Sequence, residues 1–181
     1  MPILTDHVRG PNEDNPRGYL EWEPVKRLRQ EPQRVAEAEG KVVKVVSPLL
    51  SRLPPQFRYR IIFMLRSEDE ILTSQAEMIN RAATDSGRSA AELKPVYEKH
   101  LQEILSWVEQ QAHFKMLRVW FPDVIGDPNT QTRRVQQFLE TELDLDAMQR
   151  QVIPSLYRQR SNSRDGERPA WTVTNTGAAT L

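Results

Sequence analysis

The spacing of apolar residues changes character several times along this chain, and each change predicts an element. From Arg60 to Leu65 the residues Ile61-Ile62-Phe63-Met64-Leu65 run without a polar break, as a strand covered on both faces does. Lys41-Val42-Val43-Lys44-Val45-Val46 is rich in β-branched residues and lies between Gly40 and Pro48, which predicts a second strand. Lys115 to Phe121, with Met116, Leu117, Val119 and Trp120, predicts a third. Between them the period lengthens. Ile71, Leu72, Met78 and Ile79 recur at helical spacing behind Ser67 and Glu70, which form a capping-box pair. Leu93, Val96, Tyr97, Leu101, Ile104, Leu105 and Val108 make one face of a long helix from about Ser89 to Gln111. Pro128 to Glu142 reads as a helix with Val135, Phe138 and Leu139 facing inward, and Asp144 to Gln151 as a short last one. Pro24 suits the first turn of a short helix from Glu23 to Leu28, and the Pro-, Gly-, Asn- and Asp-rich stretch from Asp6 to Gly18 reads as loop. Strands alternating with helices predict parallel pairing and a layered α/β fold, and no internal repeat is visible.

Composition narrows this picture. At 181 residues the chain is long enough for one ordinary domain with a real core. That domain is expected over residues 1–160. The segment 161–181 shifts to Arg, Ser, Asn, Gly and Thr and reads as a mobile tail. Twenty-five basic residues balance 25 acidic ones, which argues against a dedicated partner of nucleic acid or of an anionic membrane. There are no cysteines, so disulfides, thiolate zinc sites and cysteine nucleophiles are excluded. Met1 to Asp6 carries no basic start or apolar run of a signal peptide, and no apolar stretch approaches the roughly 20 residues that span a bilayer. A cytoplasmic protein is expected.

Chemistry concentrates where the Arg60 to Leu65 strand ends. Tyr59 to Ser74 reads as a buried strand that stops at Arg66 and turns at once into a capped helix, with Ser74 eight residues beyond the arginine. In open α/β sheets ligands bind outside the carboxyl ends of the strands, so Arg66 is placed to meet one. No glycine-rich phosphate loop of the GxxxxGK[ST] or GxGxxG kind occurs anywhere. Read from the residues alone, Arg66 is either an anion ligand or a strand-end ion-pair partner of Glu68 or Asp69. Ser74 is either a hydroxyl donor or a small packing residue. Glu68, Asp69 and Glu70 suit the helix dipole but oppose a bound anion, so their side chains are expected to point away.

Three passages resemble the bacterial sulfotransferase family that uses 3′-phosphoadenosine 5′-phosphosulfate. Asp14-Asn15-Pro16-Arg17-Gly18-Tyr19-Leu20-Glu21 is similar to that family's NPxGYxE stretch, and Arg66 to Ser74 to its 3′-phosphate site. Asp123-Val124-Ile125-Gly126-Asp127-Pro128, followed by Val135-Gln136-Gln137-Phe138-Leu139, is similar to its DLLxDPxxxxxxIxxFL close. Pro154-Ser155-Leu156-Tyr157-Arg158 also resembles a PxLYR ending, and the likeness runs from Ile3 to Arg160. It implies a three-layer, P-loop-like parallel sheet flanked by helices, with the usual first strand and its PRSGTS-like phosphate loop lacking because Met1 falls after them. It further implies sulfuryl transfer from the nucleotide to a small-molecule hydroxyl or amine acceptor, without a metal.

On that resemblance Arg66, Ser74 and Arg158 bind the donor nucleotide, and Lys44 and Glu21 are the catalytic candidates. A guanidinium makes paired charge-assisted hydrogen bonds to phosphate, which suits Arg66. Lys44 would neutralise charge developing on the bridging oxygen; the alternative is an ion pair within the sheet. Where animal relatives carry a KTH motif with a histidine base, this chain has Lys44-Val45-Val46, so Glu21 is the candidate base, and a solvated loop acid otherwise. His7, His100 and His113 have no metal-ligand spacing, and Trp107, Trp120 and Phe121 read as core.

Overall fold

The structure, a computed structural model, describes residues 1–13, 15–81 and 90–158. The expected tail, 161–181, lies outside them, as do the side chains of Met78 and Ile79. The chain divides into two compact units, Met1–Arg58 and Tyr59–Leu181.

The second unit is a mixed α/β body around a two-stranded parallel sheet. Its elements are β1 (Tyr59–Leu65), α1 (Glu68–Arg81), α2 (Ala90–Glu109), β2 (Phe114–Trp120), α3 (Phe121–Gly126), α4 (Pro128–Leu139) and α5 (Leu145–Arg150). The strands pair in register, Tyr59 with Phe114 through Leu65 with Trp120. One sheet face therefore carries Tyr59, Ile61, Phe63 and Leu65 beside Phe114, Met116, Arg118 and Trp120. Helix α2 lies against that face: Trp107 meets the Phe114 ring edge-on at 5.7 Å, and Glu109 pairs with Arg118. The other face carries Arg60, Ile62 and Met64 beside Lys115, Leu117 and Val119. There Arg60 donates to the Phe138 carbonyl and, at 2.5 Å, to Glu140, which ties the end of α4 to the start of β1. Val119 is 1% exposed and Met64 is 50% exposed, so this face is well covered on β2 and open at the end of β1.

Helix starts follow their caps. Asp127 accepts the Thr130 N–H at 3.1 Å ahead of Pro128 in the first turn of α4, and Asp144 accepts the Ala147 N–H at 2.8 Å ahead of α5. Helix α4 ends earlier than its pattern predicts because Glu140 turns left-handed, with φ 51°. Pro122 in a first turn converts the expected last strand residue, Phe121, into the start of α3. In α2 the residues Leu101, Ile104, Leu105 and Val108 are buried as expected, whereas Val96 is 57% exposed.

The first unit is built of loops and three 3-10 helices, Glu23–Arg27, Pro32–Ala38 and Ser47–Arg52, each with a proline among its first two residues. Its buried residues include Tyr19, Trp22, Val25, Leu28, Val35 and Leu50. The strand expected over Lys41 to Val46 is absent, which corrects that reading. Only an isolated parallel bridge joins Val42 to Ile3, held by Leu4 N–H to the Val42 carbonyl and Val42 N–H to the Pro2 carbonyl, both at 2.9 Å. The cause is the lack of a longer neighbour. Beyond Leu4 the N-terminal stretch leaves the segment to bond Glu21 instead.

Candidate functional site

Three parts of the second unit meet at Arg66. The residue follows the last position of β1, at the carboxyl end of a parallel strand, where the sheet's hydrogen bonding ends and side chains project past it. Its Nε donates to the Glu70 carboxylate at 2.8 Å, one turn into α1. Its guanidinium carbon stands 5.5 Å from the centre of the Phe121 ring, which the end of β2 delivers, and 4.9 Å from that of Tyr157. The two rings meet edge-on at 5.2 Å, so the cation lies against aromatic surface from two elements. Tyr157 completes the group by donating its hydroxyl to Glu70, 2.7 Å from each carboxylate oxygen. Glu70 is only 5% exposed, and a buried carboxylate is tolerable here because a guanidinium and a hydroxyl both reach it.

The two neighbouring acids behave differently. Asp69 is exposed and takes the Lys94 ammonium at 2.7 Å, away from the cluster. Glu68 is half-buried, and its carboxyl is raised above the usual glutamate range, first by that burial and then by the Glu98 carboxyl of α2, against which Lys94 acts in the opposite sense. Of the three acids expected to point away from Arg66, Glu70 points at it. Arg66 therefore pairs with Glu70, and the ion pairs of the described residues include none from it to Glu68 or Asp69.

Ser74 lies one turn beyond Glu70 on α1 and is half-buried; the four-residue spacing sets it on the helix face that carries Glu70. Arg158 is exposed and immediately follows Tyr157, so the ring that closes the cluster also fixes where the chain brings this arginine.

Glu21 and Lys44 belong to the first unit, where both are organised around Tyr19. Gly18 and Leu20 adopt positive φ, 82° and 50°, and this double turn buries Tyr19 between them. The Arg9 guanidinium carbon sits 3.5 Å over the Tyr19 ring and pairs with the Glu21 carboxylate at 3.4 Å. Asn12 donates to the Tyr19 hydroxyl at 3.0 Å, and Lys44 Nζ donates to the Tyr19 carbonyl at 3.0 Å. Lys44 thus stands in a loop rather than mid-strand, with its ammonium on a backbone acceptor.

The residues that sequence reasoning leaves out of the site are Glu70, read as a cap and helix-dipole acid, Phe121, read as core, and Tyr157. Tyr157 stands inside the Pro154 to Arg158 passage that resembles a family ending, which was the available signal. Among the described residues no group of three or more His, Asp or Glu side chains is arranged to hold a metal ion, and no helix is long and apolar enough to cross a membrane. Comparison with family models, with curated proteins and with solved structures found no match.

Proposed function

We propose that this chain is a sulfotransferase-like protein that binds 3′-phosphoadenosine 5′-phosphosulfate and moves its sulfuryl group to a hydroxyl or amine acceptor. The observation that carries the reading is the position of Arg66 at the carboxyl end of a parallel strand, with Ser74 on the following helix. A guanidinium carries five N–H donors in a planar fork, the geometry that suits a phosphate. Arg66 and Ser74 would hold the 3′-phosphate, and Arg158 would add charge beside it. The finer fold, a three-layer P-loop-like sheet, belongs to the same proposal; helices α2 and α4 on opposite faces of the β1–β2 pair support it.

In the transfer, the acceptor oxygen or nitrogen loses its proton to a base and bonds to sulfur. The bond from sulfur to the bridging oxygen breaks, and 3′-phosphoadenosine 5′-phosphate leaves. The roles of base and of cation at the bridging oxygen are those that the family resemblance gives to Glu21 and Lys44.

A second reading, a sulfotransferase-like module that binds nucleotide without turnover, draws on a specific observation. The Glu21 carboxylate is held by Arg9 and the Lys44 ammonium by the Tyr19 carbonyl, so each catalytic candidate already has a partner within its own unit.

Calorimetric titration with 3′-phosphoadenosine 5′-phosphate at low salt tests the common ground. Saturable binding is expected, with Arg66→Ala weakening it at least about a hundredfold, the loss from removing a charge-assisted pair. Unchanged affinity in a folded Arg66→Ala protein overturns the proposal. Sulfated product formed with any acceptor then selects the enzyme over the module.

A further inference from the structure

Glu70 is difficult to reconcile with a site that merely attracts negative charge. A buried carboxylate 2.8 Å from Arg66 cancels much of the cation's field and repels an incoming anion. Its presence makes sense if the anion brings a proton. An ionised carboxylate only accepts hydrogen bonds, and this one takes an O–H donor, the Tyr157 hydroxyl at 2.7 Å from both oxygens, beside the Arg66 N–H. A phosphate monoester has its second pKa near 6 and carries such an O–H in part of its population at neutral pH. Sulfate is fully ionised there and carries none.

Resting on the donor-site reading above, we propose that Glu70 makes the Arg66 site selective for phosphate over sulfate. Arg66 attracts either anion, and Glu70 accepts a hydrogen bond from a protonated phosphate but meets sulfate only with repulsion. The aromatic rings of Phe121 and Tyr157 lie against Arg66 and cover part of the ion pair, whose Glu70 end is buried, and partial desolvation strengthens both the attraction and the repulsion. For a protein handling a nucleotide with a phosphate at one position and a sulfuryl group at another, such a residue sets the polarity of binding: the phosphate end goes to Arg66 and the sulfuryl end does not. Glu70 is in this view a specificity residue, and Tyr157 a positioning residue that acts through it.

Titration of the full chain with inorganic phosphate and with inorganic sulfate, at matched ionic strength and a pH near 6, tests the idea. Phosphate is expected to bind at least about tenfold more tightly, the factor that one hydrogen bond to a charged group supplies. Glu70→Gln, which keeps the shape and an acceptor for Tyr157, is expected to tighten sulfate binding and bring the ratio close to one. Phosphate and sulfate binding equally well in the unaltered protein, with both lost in Arg66→Ala, overturns the selectivity while leaving Arg66 an anion site. A preference that survives Glu70→Gln overturns it as well. If neither anion nor the nucleotide binds, the donor-site reading itself fails.

Discussion

Tyr157 reaches Glu70 with its hydroxyl and packs its ring on Phe121 and Arg66, so a variant can remove the first contact and keep the ring. Removing the hydroxyl leaves a charged, buried carboxylate with one donor fewer, and the cost is that of an under-satisfied charged group. Tyr157→Phe is expected to lower the unfolding free energy by about 1–3 kcal/mol in urea denaturation. A change within the error of the measurement would show that the hydroxyl is redundant. At this scale the site is half legible from sequence. Arg66 stands out because strand and helix patterns meet at it. Its partner Tyr157 lies 87 residues from Glu70, and no periodicity connects positions that far apart. Glu70 is legible only in a different role, since the capping-box pattern assigns its carboxylate to the helix start and does not foresee Arg66 as a competitor for it.

Where α1 begins it faces α2 through like charges, and this contact responds to pH. The Glu68 carboxyl is raised by burial first and by Glu98 second, so the folded state holds its proton more tightly than the unfolded chain does. Such a group contributes stability when protonated, and that contribution is lost as pH rises from the usual glutamate range through the raised folded value. Glu68→Gln is therefore expected to be more stable than the unaltered protein at neutral pH, with the difference closing as pH falls to the usual glutamate range. Thermal unfolding across that range reads it out. A variant less stable at neutral pH would mean that Lys94 outweighs burial and Glu98. Elements differ in how plainly they show in the sequence for a related reason. β1 and β2 are legible because each run is apolar on both faces and each finds the other as a partner. Lys41 to Val46 misleads because β-branched content reports a preference for extended backbone and carries no information about whether a neighbour exists. Helix α3 is hidden because its six residues, Phe121–Gly126, are too few to display a period, although Pro122 marks its first turn.

For the molecule as a whole, the division at Arg58 and Tyr59 predicts how stability is distributed. The first unit rests on 3-10 helices around Trp22, Val25 and Leu28, the second on a sheet and longer helices around Leu117 and Val119. Leu28 and Val119 are each 1% exposed, so each reports on its own interior. Leu28→Ala is expected to cost about 2–5 kcal/mol and to speed amide hydrogen exchange at Trp22, Val25 and Leu50 more than at Leu117. Val119→Ala, which removes two methyl groups at about 2 kcal/mol, is expected to do the reverse. Uniform acceleration everywhere in both variants would show one cooperative body.

The in-register parallel pairing of β1 with β2 has a consequence for how the protein is made. Tyr59 and Phe114 pair across about 55 residues of chain, and at roughly 5–20 residues per second a growing polypeptide takes several seconds to supply that partner. During that interval Ile61 to Leu65 travels out of the ribosome as an apolar ribbon with nothing to pair with, and α2 must be complete before the sheet closes over it. A nascent chain of this protein therefore depends, for those seconds, on whatever in the cell shields a hydrophobic segment until its match arrives.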